Sequence, residues 1–197
     1  MTLVEDIVIK KLGRVEYQPT WEKMRAFTRG RQDSTQDELW LLEHSPVYTV
    51  GQGATVPPVG NAIPIVKTDR GGDITYHGPG QLVIYTLVDL VRRAIKVKRF
   101  VWLLEQGVLD LLRGRGERKA GAPGVYVDGA KIAALGIRVV RGRAYHGLAL
   151  NVDMDLSPFN AIDPCGYPGL RVTQTKDLGI PVTADDLARS ILKNLDA

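Results

Sequence analysis

A single cysteine, Cys165, lies in the stretch NAIDPCGYPGL at residues 160–170. Pro164 and Gly166 flank it, and Pro168 and Gly169 follow. Two X-Pro steps and two glycines predict a shaped loop rather than a helix or strand. A thiol on such a loop has two readings, a nucleophile or a small buried hydrophobe. A nucleophile needs help, because an unperturbed thiol, with a pKa of about 8.5, is only a few per cent thiolate at neutral pH. The candidate helpers are Lys131 and the three histidines His44, His77 and His146. Lys131 follows the turn dipeptide Asp128-Gly129 and precedes the apolar run IAALG. It reads either as a hairpin-surface lysine or, because strand side chains alternate in direction, as one facing away from water. His77 stands in RGGDITYHGPGQLVIYTL, residues 70–87, among four glycines. It reads as a substrate or acid–base group, or as a turn histidine bonding its own backbone. His44 and His146 read as structural or lining residues.

The elements that must position these groups follow from periodicity. Trp21, Met24 and Phe27 have helical spacing. Residues 37–53 read as a strand, a proline loop and a second short strand. Residues 56–64 read as a turn-rich loop, 63–69 as a short strand, and 81–90 as a strand buried on at least one face. The clearest helix is 99–116, where Phe100, Leu103, Leu104, Gly107, Val108 and Leu111 share a face and Gly114 supplies the stop. Residues 124–139 read as a hairpin about Asp128-Gly129. Another turn is expected near Arg141-Gly142-Arg143, followed by a strand. Thr183 and Asp186 resemble a capping pair for a last helix carrying Leu187, Ile191 and Leu195 on one face. Many strands and few helices predict an α+β fold with mostly antiparallel pairing, not a run of βαβ units.

The 197 residues predict one domain, 1–197, with 44% hydrophobic and 24% charged residues, a globular composition. No apolar run reaches membrane-span length, and the first residues lack the long apolar core of a secretion signal, so the expected location is cytoplasmic. One cysteine excludes an intramolecular disulfide and a cysteine-based zinc cluster, and no histidines have metal-pair spacing. The net charge of +4 and the basic stretches 96–100 and 113–119 fit an acidic partner or a solvated surface. No motif with nucleic-acid docking geometry is present. RGRGER at 113–118 looks like the adenylate-binding loop of biotin ligases, but it stands at the end of the helix that Gly114 stops. It reads as a solvated helix end, where cations are favoured.

Taken in order, RGGDITYHGPGQLVIYT, GVYVDGAKIAALGIRV and YHGLALNVDMDLSPFNAIDPCGY resemble the lipoyl(octanoyl) transferases, and DELWLLEHSPVYT fits as well. The resemblance runs from about residue 39 to 169. It implies the α+β module shared with biotin and lipoate ligases, and no cofactor or metal. It places a substrate-binding stretch on Arg70, Gly71, Gly72, Asp73, Ile74, Thr75, Tyr76 and His77. Further substrate contacts fall on Ala134, Leu135 and Gly136, and on Gly147, Leu148 and Ala149. The acyl-thioester cysteine falls on Cys165 and the lysine that lowers its pKa on Lys131. Asp73 stands where an amide is also seen, and the tail after Gly169 is less recognisable.

The implied reaction moves an octanoyl group from octanoyl-acyl carrier protein to a lysine of a lipoyl domain. Acceptors would be the lipoyl domains of 2-oxoacid dehydrogenases or the glycine cleavage H protein. Gly71, Gly72, Gly78, Gly80, Gly136 and Gly147, with Ala133, Ala134 and Ala149, are expected to leave a narrow apolar tunnel for a straight chain. Amides of the glycine loop are expected to bond the forming oxyanion. The competing readings are an ATP-dependent lipoate or biotin ligase, which would release AMP, and a module that only binds acylated carrier protein.

Overall fold

The computed structural model describes residues 7–52, 54–56, 59–60, 62–163, 166 and 168–196. Cys165 therefore lies outside the described residues, as does part of the turn-rich loop at 56–64.

The chain opens on β1 (Val8–Val15), crosses through α1 (Tyr17–Gly30), and returns as β2 (Glu38–His44), parallel to β1. This is one βαβ unit, which the sequence reading did not anticipate. Its first strand is a mostly exposed edge in which the adjacent Lys10 and Lys11 break the two-residue alternation, so periodicity gives it little signal. The short strands β3 (Val47–Val50), β4 (Ile65–Lys67) and β5 (Ile74–His77) form a small separate sheet in the order β4-β3-β5. Strands β6 (Gln81–Asp89), β7 (Glu117–Lys119), β8 (Ala122–Val127), β9 (Ala130–Val140) and β10 (Arg143–Asn151) join the first two. The seven-stranded sheet runs β1-β2-β6-β10-β9-β8-β7. Every pairing in it but β1 with β2 is antiparallel, which bears out the α+β expectation.

Both hairpin turns fall where turn chemistry puts them. Asp128 and Gly129 have φ of 48° and 78°, and Arg141 and Gly142 have 51° and 77°. Paired positive φ values match the right-handed twist of the flanking strands. The two faces of the sheet carry different cores. α1 packs Met24 against Trp40, Leu42, Val83 and Tyr85 on one face. α2 (Val97–Leu111) and α3 (Ala184–Leu195) cover the other with Phe100, Leu104, Val108, Leu187 and Ile191. Thr183 and Asp186 form the capping box expected of α3. Gly107 lets the two helices meet, since a Cβ there would lie 2.4 Å from Ile191 Cδ1.

α2 ends at Leu111, and Arg113 and Gly114 turn left-handed beyond it. The RGRGER stretch is only partly the solvated helix end expected. Arg113 is exposed, but Glu117–Lys119 pairs as a strand and Arg118 bridges to the buried Glu105 at 3.0 Å. Among the described residues no helix is long and apolar enough to cross a membrane.

Candidate active site

A narrow slot lies on the α1 face of the sheet, between the floor of β9, β10 and β6 and a roof made by residues 70–77. Its lining includes Arg70, Gly72, Asp73, Ile74, Thr75 and His77 from the roof. The floor contributes Ala134, Leu135 and Gly136, then Gly147, Leu148 and Ala149. These two tripeptides meet because β9 and β10 pair in register, Gly136 opposite Gly147 and Ala134 opposite Ala149. A wider groove of about 330 Å³ adjoins it at the edge of β9 and contains Gly71, Pro123, Val101 and Lys131. Gly72, Asp73, Leu135 and Gly136 border both.

The groove exists because β8 leaves β9 early. The two pair only as far as Val125 opposite Ala133. Beyond that point the edge of β9 receives the roof loop instead, with the Gly71 N–H donating to the Ile137 carbonyl at 3.0 Å. The glycines serve this approach more than they make room for a chain. A Cβ at Gly136 would sit 2.9 Å from the Gly71 carbonyl oxygen, and one at Gly147 only 2.0 Å from that of Ile84. Ala133 packs into the α2 core, on the other face of the sheet from the slot. The Gly71 and Gly80 amides are already engaged, by Ile137 and by the Glu43 carboxylate.

Lys131 is no surface residue. It is 4% exposed, its Nζ donates to the Pro123 carbonyl at 3.2 Å, and it sits 5.2 Å from the Tyr126 ring centre. Pro123 is itself held from α2, where buried Glu105 accepts the Gly124 N–H at 2.9 Å. The strand edge at Lys131 carries the segment after the cysteine loop. Its N–H donates to the Arg171 carbonyl, and its carbonyl accepts from Thr173. Gly166, the residue after Cys165, lies against the roof, where a Cβ would come 2.6 Å from Asp73 Oδ2.

Arg70 is buried, and its guanidinium donates to the Thr49 carbonyl and hydroxyl and to the Gly71 carbonyl. It braces the roof against β3. Tyr76 does not line the slot: strand alternation turns its ring into the core of the small sheet, against Tyr48 and Phe159.

The slot's inner end is a cluster of rings. Tyr17 and His77 stack at 5.9 Å, and His44 lies 5.0 Å from Tyr17 and 5.8 Å from His77. The His44 Nδ1–H donates to the Val15 carbonyl, so Nε2 accepts from the Tyr85 hydroxyl at 2.6 Å. The His77 Nδ1–H donates to Gln81 Oε1 at 2.7 Å. Burial is the largest cause holding both imidazoles neutral, His44 down to about 4 and His77 down to about 3, with His44 reinforcing the effect on His77. A base that weak is unsuited to taking a proton from an amine, which weighs against His77 in that role.

His146 has φ of 62° inside a strand. That inversion stacks it on its neighbour Tyr145 at 5.0 Å and brings it to the slot. Its Nε2–H donates to Asp69 at 2.8 Å, which also accepts from Trp21 and Tyr145. Burial keeps His146 neutral, so this contact is a hydrogen bond rather than an ion pair. Burial alone would raise the Asp69 carboxyl, but the donors from His146, Tyr145 and Trp21 outweigh it and hold it well below the usual range.

Sequence reasoning missed Tyr17, Val83, Tyr85 and Asp69 at this site. Only Val83 and Tyr85 had a usable signal, the two-residue period of QLVIYTL.

The fold itself defines a class. It superposes on a lipoate-protein ligase A bound with ATP at a TM-score of 0.73, covering 96% of this chain and 83% of the other at 17% identity. A biotin protein ligase from Aquifex aeolicus aligns at 0.58, covering 96% and 68% at 11% identity. These likenesses establish the α+β architecture common to lipoate and biotin ligase catalytic domains. The family model of the lipoyl protein ligase A/B catalytic domain matches residues 16–196, and the chain belongs to that family. Within it, the octanoyltransferase of Aromatoleum aromaticum is 62% identical over 92% of this chain and 80% of its own. That of Dechloromonas aromatica is 56% identical over 96% and 97%. The chain is an acyltransferase of the octanoyltransferase type.

Proposed function

We propose that the chain carries an octanoyl group from acyl carrier protein to a lysine of a lipoyl domain through a thioester on Cys165. The slot takes the acyl chain and the groove takes the reacting ends. One observation carries this reading. The chain that follows Cys165 is tied to the two cavities, Gly166 against Asp73 where slot and groove meet and residues 171–173 along Lys131 in the groove.

The Cys165 thiolate attacks the thioester carbonyl carbon of the donor. The tetrahedral adduct collapses with breakage of the old C–S bond, and the carrier sulfur leaves as a thiol after taking a proton from Lys131, which is left neutral. Sulfur replaces sulfur, so the exchange is nearly isoenergetic. The buried Lys131 ammonium stabilises the thiolate. An acceptor lysine then attacks the acyl-enzyme carbonyl, the C–S bond to Cys165 breaks, and the nitrogen gives up a proton. Lys131, when neutral, is the group at the groove suited to accept it. Oxyanion donors fall to amides at the junction, where the Gly72 N–H, unlike that of Gly71, has no acceptor among the described residues. The reaction draws on an activated donor and needs no nucleotide, and its setting is the cytoplasm.

The test uses the purified chain with octanoyl-carrier protein and a lipoyl domain, without ATP. The lipoyl domain is expected to gain one octanoyl amide by intact mass. Transfer only with ATP and free octanoate, with release of AMP, would make the chain a ligase instead.

A further inference from the structure

We infer that the slot measures acyl length by counting strands, and that the side chains of β6 are its stop. This rests on the octanoyl reading above and adds which residues set the chain length. Cross-strand partners share a face of a sheet, so the register lays rows across the slot floor. One row runs Ala134, Ala149, Val83, and beside it runs Gly136, Gly147, Tyr85. On β9 and β10 the residues are small. On β6 they become large, and on β2 behind it they stay large, with Leu42 opposite Val83 and Trp40 opposite Tyr85. A trough open over two strands is thus closed at the third. Strands lie about 4.8 Å apart, so two spacings give about 10 Å from β9 to β6. That is the length of an extended eight-carbon acyl chain lying along the row from Ala134 through Ala149 to Val83.

The stop is stiff. Val83 and Tyr85 are buried against α1. Tyr85 is fixed by its bond to His44, and His77 beside it by Gln81, which in turn donates to Asn151. The strained His146 closes the same end, edge-on to Tyr85 at 6.1 Å and pinned by Asp69. A non-glycine residue held at positive φ inside a strand is costly and needs a reason. Here the inversion brings a ring to the end of the slot that strand alternation would have sent to the other face. A longer chain would have to displace these rings from their hydrogen bonds. A shorter one leaves methylenes of contact unmade.

The test moves the stop in both directions. Val83→Ala pulls the wall back. Ala149→Val raises the floor one strand nearer the mouth. Acyl-pantetheine thioesters of six, eight, ten and twelve carbons serve as probes, read both by transfer to a lipoyl domain and by competition binding. The unmodified chain is expected to prefer eight carbons. Val83→Ala should raise the ten-to-eight ratio by about fourfold for each methylene newly accommodated. Ala149→Val should move the preference toward six. A folding defect would depress all lengths alike, so opposite shifts from neighbouring strands cannot arise that way. If Ala149→Val fails to give a cooperative melt, the Val83→Ala ratio decides alone. An unchanged length profile with transfer intact overturns the strand-counting stop and leaves the transferase reading standing. Shifted binding profiles with no transfer at any length would keep the stop and overturn the transferase reading.

Discussion

The slot and the groove share four residues, Gly72, Asp73, Leu135 and Gly136, yet they are built by different means. The slot lies within the sheet. Its walls are fixed by strand register, its histidines are held neutral, and the carboxylate behind its ring cluster, Asp69, is saturated by three donors. The groove lies at a sheet edge, where β8 has departed and loops take its place. Its distinctive group is a buried cation held by a backbone carbonyl. Shape recognition is thus placed where the backbone is least able to move, and charge is placed where the backbone is interrupted. A neutral, rigid slot suits an alkyl chain, whose only handle is its dimensions. An interrupted edge suits chemistry in which two different macromolecules must each reach one carbonyl carbon.

The largest effect on the slot should come from its closest backbone approach. A Cβ on Gly147 would sit 2.0 Å from the Ile84 carbonyl oxygen, so Gly147→Ala must spread β10 from β6. The expected loss is about 3 kcal/mol in denaturant melts. Gly30, at the end of α1, has open space around it. Gly30→Ala is expected within about 0.5 kcal/mol of the parent. Equal effects at the two positions would break the claim that the slot is register-built.

The groove should respond to charge rather than to packing. Lys131→Met removes the cation while keeping much of the stem. Transfer is expected to fall about tenfold or more, with the midpoint of Cys165 alkylation against pH moving up, since one unit of pKa is a factor of ten in thiolate below that midpoint. Lys131→Arg should keep most of the alkylation midpoint and still transfer poorly, because guanidinium does not give up its proton near neutrality. Identical alkylation profiles in the parent and Lys131→Met would take the cation out of the account.

The pH dependence of stability comes from the neutral histidines. His44 and His77 have folded pKa values of about 4 and about 3, below the ordinary 6.5. The unfolded chain therefore binds more protons as the pH falls. Their contribution is fully present above about pH 6.5 and is lost as the pH falls from there toward 4, at up to about 1.4 kcal/mol per pH unit for each. Melting temperature should decline over that window. A flat profile would mean that the folded chain protonates these rings as readily as the unfolded chain does.

The groove's parts were the harder ones to read from the sequence. Asp128-Gly129 marked the turn beside Lys131, and both hairpin turns fell where their dipeptides put them. Burial of Lys131 could not be read, because it depends on Pro123 and on Glu105 of α2, residues adjacent only in the fold. The floor tripeptides follow from the register of one hairpin, a local feature that sequence can carry. The ring cluster does not, since Tyr17, His44, Tyr85 and His146 come from four elements. The glycines of the roof were legible as a place of close approach, but what approaches is mostly backbone. Tyr76 illustrates the limit. It sits inside the motif that carries the family resemblance, yet strand alternation sends its ring into a neighbouring core.

Transfer by the proposed route requires a covalent octanoyl group on Cys165. Incubating the chain with octanoyl-carrier protein and no acceptor, then recording intact mass and mapping the adduct by peptide, tests it directly. A single octanoyl addition is expected on the peptide carrying Cys165, labile to hydroxylamine, discharged when a lipoyl domain is added, and absent from Cys165→Ser. Undiminished transfer by Cys165→Ser, or an adduct on another residue that is discharged just as fast, would contradict it.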